Sequence, residues 1–73
     1  MSAEEWLAAY AEKLGIAPPT AEELEAVLDL AAQAAHASER IAAPVACWMS
    51  AKAGRSLEES RALAREVARA PGS

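Results

Sequence analysis

Five residues in the middle of this chain carry most of its chemical potential. His36 is the only histidine and Cys47 the only cysteine; between them stand Arg40 and Pro44, and Trp48, one of two tryptophans, follows directly. His36 and Arg40 are four residues apart, the spacing that stacks two side chains on one helix face. An imidazole beside a guanidinium gives a switchable donor next to a planar fork of donors, a pair suited to phosphate or carboxylate. A proline such as Pro44 favours the first turn of a new helix, whose free amides also attract anions. These residues therefore admit a small binder of an anionic ligand, a nucleotide or cofactor phosphate, at the His36/Arg40 corner. The plainer account is that both side chains serve the exposed carbonyls at a helix end, with Arg40 paired to Glu39 or Asp29.

Cys47 and His36 would form a nucleophile and base only if folding brought them within about 3 Å. The sequence offers neither a glycine-rich elbow nor an obvious oxyanion donor, and a small cysteine in an alanine-rich helix usually serves packing. One histidine and one cysteine fall short of the four ligands of a structural zinc site. No catalytic residue, metal or cofactor is assigned from the sequence, and a chain this short leaves little room for a water-excluded pocket.

The elements that must position these residues are helices. Three capping boxes, Ser2-x-x-Glu5, Thr20-x-x-Glu23 and Ser56-x-x-Glu59, each mark a helix start, because the hydroxyl and the glutamate satisfy two end amides reciprocally. The runs that follow carry apolar residues at helical spacing, which predicts an all-α, compact four-helix domain with helices near 3–14, 20–41, 44–53 and 57–69. In the first, Trp6, Leu7, Tyr10 and Leu14 are expected to form the buried face, with Met1 stapled onto Trp6 and Gly15 as the stop. Ile16 should tuck into the core before Pro18-Pro19 forces an extended link. The second should turn Glu25, Asp29, Gln33, His36 and Arg40 to one polar face, and Pro44 should end it near Ile41 to Ala43 by clashing with the Arg40 carbonyl. Val45, Trp48 and Met49 are expected inward on the third helix, and Leu57, Leu63, Ala64 and Val67 on the fourth. Arg61, Arg65 and Arg69 should form a solvated stripe paired with Glu58 and Glu66. Pro71-Gly72-Ser73 reads as a frayed end of a single domain spanning 1–73.

Of the 73 residues, 53% are hydrophobic, yet many are alanine and none is phenylalanine. So thin a core is often completed by a partner or a second copy. The net charge of −4 argues against nucleic acid and anionic membrane. Its distribution is uneven: residues 1–35 hold seven acids and one base, and residues 36–73 hold four acids and six bases. A lone cysteine fits a reducing compartment, the acidic N-terminal residues differ from a signal peptide, and no apolar run approaches the about 20 residues of a membrane span. A cytoplasmic protein is expected.

The run His36-x-x-x-Arg40-x-x-Ala43-Pro44, then Trp48-Met49 and Ala53-Gly54, with a tryptophan in helix 1 and Leu28-Asp29-Leu30-Ala31 in helix 2, resembles a small actinobacterial helical domain family of unknown function. Its members occur alone or appended to molybdenum cofactor guanylyltransferase-like proteins. The likeness covers roughly residues 4 to 54, and this chain has Ile41 and Ala51 where that family often has proline and glycine. The resemblance implies a helical accessory domain and, at most, a link to molybdenum cofactor biosynthesis; it supplies no activity. Together these readings point to a non-catalytic accessory or protein-interaction module, through a protein partner or self-association. The contact surface expected at the helix 2/helix 3 junction comprises His36, Arg40, Pro44 and Trp48.

Overall fold

The computed structural model describes residues 1–69, so the expected frayed end at 71–73 lies outside the described residues. Four helices follow in order: α1 Ala3–Leu14, α2 Ala21–Ala37, α3 Ala42–Ala53 and α4 Leu57–Arg69. There is no strand among the described residues. All three capping boxes form. Ser2 Oγ accepts from the Glu5 amide at 3.0 Å, while the Ser2 amide donates to Glu5 Oε1 at 2.9 Å. Thr20 and Glu23 repeat the exchange at 3.1 and 2.8 Å, and Ser56 and Glu59 at 3.1 and 3.3 Å. At the other end of α1, Gly15 takes φ 77° and the next amide, of Ile16, donates back to the Ala11 carbonyl. Only glycine enters that left-handed conformation without a Cβ penalty. Gly54 closes α3 at φ 71°, also left-handed, with its own amide donating to the Ala51 carbonyl.

The boundary between α2 and α3 differs from the sequence expectation. The second helix stops at Ala37, before the predicted 41, and the third begins at Ala42, before Pro44. Ser38 leaves helical geometry at φ −143°, ψ −98°, and its hydroxyl donates to the Ala34 carbonyl at 2.8 Å. A serine side chain that bonds locally to the backbone competes with the helix ladder, and here it accompanies the stop. The Ala42 and Ala43 amides then donate to the Glu39 and Arg40 carbonyls, a tight turn that leads into α3. Pro44 occupies the third position of the new helix, where an N–H would have had no intrahelical partner. The proline thus starts a helix as its chemistry dictates, two residues later in that helix than expected.

Packing is organised on α2. Both α3 and α4 lie close against it, and α1 approaches the rest of the chain less closely. The molecule is accordingly elongated, 42 × 24 × 19 Å. The only apolar residues fully buried among those described are Ala11 and Leu30, each 3% exposed. Alanines line the α2–α3 seam: Ala31, Ala34 and Ala35 on one side and Ala42, Ala43 and Ala46 on the other are all half-buried. Ser60, the one buried polar residue among those described, donates to the Ser56 carbonyl at 2.8 Å and bonds the Ser50 hydroxyl, which ties α4 to α3.

Several residues expected in the core are on the surface. Trp6, Tyr10 and Leu14 of α1, Val45, Trp48 and Met49 of α3, and Leu63 and Val67 of α4 are all exposed. Ile16 does not tuck inward, and Met1, 90% exposed, makes no staple. The apolar spacing marks helix faces, but with only α3 and α4 packed closely on α2 much of that apolar surface has no neighbour. Truncating Leu30 removes the one large side chain at the centre, and such changes cost about 2–5 kcal/mol. A domain this small rarely holds more than about 3–5 kcal/mol. Leu30→Ala should therefore abolish the cooperative thermal transition followed by circular dichroism, whereas Leu28→Ala, at an exposed position of the same helix, should leave it.

Candidate functional site

The sequence-predicted corner lies where α2 ends and α3 begins. His36 sits in the last turn of α2, Arg40 in the connecting turn, and Pro44 in the first turn of α3; all three are exposed. Because the helix stops at Ala37, Arg40 is not stacked one turn above His36 on a shared face. Arg40 has no carboxylate within ion-pair distance among the described residues. Trp48 lies one turn further along α3, 61% exposed, with the Lys52 ammonium 5.0 Å from its ring centroid. That cation over the indole face is a modest attraction at an exposed site, about 0.5–1 kcal/mol.

Asp29, grouped with this polar face by its spacing, has a different task. Its carboxylate accepts from Gln33 Nε2 at 3.0 Å within α2 and from Arg61 Nε at 2.9 Å on α4. The Gln33 hydrogen bond, and then the Arg61 guanidinium, hold the Asp29 carboxyl below the ordinary carboxylate range. Arg61 therefore belongs to an interhelical bond and not to a solvated stripe with Glu58. The neighbouring ion pair of that region, Arg55 with Glu59 at 3.4 Å, is local.

Cys47 faces α2, its sulfur 3.9 Å from the Val27 carbonyl oxygen, and burial pushes its thiol above the ordinary range. Val27 and His36 are nine residues apart on α2, about 13 Å along the axis. The imidazole therefore does not reach the sulfur, and a raised thiol is the reverse of an activated nucleophile. No three of the His, Cys, Asp and Glu side chains among the described residues gather into a metal site. No described helix is long and apolar enough to cross a membrane.

The surface feature that the spacing did not single out is a groove between α3 and α4. It has a volume of about 440 Å³, with Leu30 and Ala34 of α2 as its floor. Ala46 and Met49 make one wall, Leu63 and Val67 the other, and Arg55 closes one end. Met49 and Val67 are 59% and 64% exposed, so the groove is open and apolar. A second concavity of about 390 Å³ lies between α1 and α2, lined by Leu7, Ala8, Pro18, Pro19, Leu24 and Leu28 among others. The i, i+4 pattern of Leu63 and Val67 was visible in the sequence, but it reads identically for a covered and an uncovered face.

Comparison with protein families gives a match over residues 1–72. The chain belongs to that family, described as a domain of unknown function (DUF6457). Comparisons with curated proteins and with solved structures gave no match. The DUF6457 domain thus takes its functional reading from its own geometry.

Three carboxyl groups are held low in the fold: Glu5 by the Ser2 amide and then its hydroxyl, Glu59 by the corresponding groups of Ser56, and Asp29 by Gln33. A carboxyl lowered on folding stabilises fully above its unfolded value, about 4.3 for Glu and 3.9 for Asp. That contribution is lost as the pH falls through the lowered native values. The melting temperature should therefore hold from pH 7 to about 5 and drop below about 4. Asp29→Asn should flatten part of the drop, which a series of thermal melts across pH would show.

Proposed function

We propose that this domain is a non-catalytic accessory or protein-interaction module whose contact surface surrounds the α2–α3 junction. The surface runs from His36, Arg40 and Pro44 to Trp48 and on, past Met49, into the α3–α4 groove. The observation that carries this reading is the exposure of large apolar side chains beside a core reduced to Ala11 and Leu30. Trp48 is foremost among them. Exposed tryptophan is enriched at interface centres, where it gives contact area at little entropic cost. A small domain with contiguous uncovered apolar side chains gains most by covering them. The domain acts in the cytoplasm, a placement supported by its lone unpaired thiol. The resemblance read from the His36 to Gly54 stretch supports an accessory role beside molybdenum cofactor guanylyltransferase-like proteins.

One observation favours a second reading at the same corner. Arg40, exposed and without a carboxylate partner among the described residues, is available to an anion such as a nucleotide or cofactor phosphate. Phosphate added to millimolar concentration should move the His36 ring resonances if this reading holds; unmoved resonances end it.

The interaction reading is tested by placing a photo-crosslinking amino acid at Trp48, at Met49 and, as a control, at exposed Glu22, in cells that produce the protein. Covalent protein adducts are expected from positions 48 and 49 and none from 22. Irradiation that leaves all three variants free of adducts overturns the reading.

A further inference from the structure

Among the uncovered apolar features of the described residues, two have opposite shapes. One is a ridge on α1, where Trp6, Tyr10 and Leu14 follow at intervals of four, all about half exposed, with the Trp6 and Tyr10 rings packed at 4.9 Å and tilted by 32°. The other is the α3–α4 groove, with Met49, Leu63 and Val67 on its walls. We propose that the occupant of the groove is α1 of a second copy of this chain, seated by Trp6, Tyr10 and Leu14, so that two copies pair through reciprocal helix-in-groove contacts. The proposal rests on the interaction reading and names its partner.

Three features of the chain select this pairing. Anchors at i, i+4 and i+8 on one helix face are the pattern with which an amphipathic helix fills an apolar groove. Charge selects the orientation: α1 carries Glu4, Glu5 and Glu12 against Lys13 alone, whereas Lys52 stands on the turn of α3 beside Met49 and Arg55 closes one end of the groove. Of the two carboxylates in the first turn of α4, Glu58 and Glu59, the second is already engaged by Ser56 and Arg55. The same asymmetry holds for the whole chain, acidic from 1 to 35 and basic from 36 to 73, so the acidic end of one copy meeting the basic end of another is favoured over like meeting like. The chain's own α1 lies beside α2, away from the groove. Leu7 and Ala8 line the concavity beside α2, and Pro18-Pro19, which border it, give a stiff extended link back to Thr20.

Each copy offers this ridge and this groove, so a two-fold pairing satisfies both and closes. Sedimentation equilibrium of the full chain from about 10 µM to about 1 mM should show the mass rising from 7.6 kDa toward twice that value. About 0.5 M salt should shift the rise to higher concentration by screening. Trp6→Glu and Val67→Glu, both at exposed positions, should each remain monomeric alone. Mixed together they should associate, because the intact groove of the first receives the intact ridge of the second. Tyr10→Glu serves in place of the Trp6 change if circular dichroism shows that variant unfolded. Wild-type chain at 7.6 kDa throughout overturns the pairing, and association that the mixture fails to restore overturns the ridge-in-groove arrangement. Crosslinks from Trp48 or Met49 to a different protein, found alongside a monomeric wild type, would leave the interaction reading standing and remove only the second copy.

Discussion

The burial of Leu30 against α3 and α4 is the constraint on which the rest of this fold depends. Among the described residues Leu30 is the one large apolar side chain removed from water, and it sits at the centre of α2, the element on which the next two helices rest. The contacts around it are short-range and mixed in kind: alanine against alanine, a serine pair between α3 and α4, and the Asp29–Arg61 bond that reaches from α2 to α4. That bond is about half open to solvent, so it contributes registry more than depth of stability. Local terms therefore have unusual weight. Three capping boxes and two glycine stops fix where helices begin and end, and each supplies a fraction of what a larger domain would draw from its interior.

Helix existence was legible because its signals are local. A hydroxyl three residues ahead of a glutamate specifies a cap whatever packs above it, and all three such pairs hold in the structure. The α2 stop was less legible. Pro44 forbids continuation but does not say how far upstream the break falls, and Ser38 decided it through a bond to Ala34 that competes with the ladder. Burial was the least legible property. Trp6, Tyr10, Val45, Met49 and Val67 occupy apolar positions at helical spacing, yet a face needs a neighbour to be buried, and spacing carries no information about neighbours. The resemblance carried by His36 to Gly54 pointed to a helical domain family without an assigned activity, and the match over residues 1–72 shows a domain of unknown function.

The corner formed by His36, Arg40, Pro44 and Trp48 illustrates the difference between sequence spacing and spatial arrangement. A four-residue interval implies a shared helix face only while the helix lasts, and α2 ends one residue after His36. What remains at the corner is a set of exposed groups on three successive pieces of backbone, next to an apolar groove. On the proposed reading, Trp48 is the aromatic anchor and the charged groups stand at its margin. Its one thiol, turned toward Val27 with its ionisation suppressed by burial, takes no part.

The alanine seam between α2 and α3 inverts the usual pattern of mutational tolerance. In most small domains the large hydrophobic residues resist change and alanines drift freely. Here Ala31, Ala35, Ala43 and Ala46 are partly covered where two helices meet, and any added methylene would wedge the helices apart. Trp6, Val45 and Val67, standing in solvent, could vary without disturbing the monomer. Sequence drift in this domain should thus be restrained at its smallest side chains by folding, and at its largest only by whatever covers them.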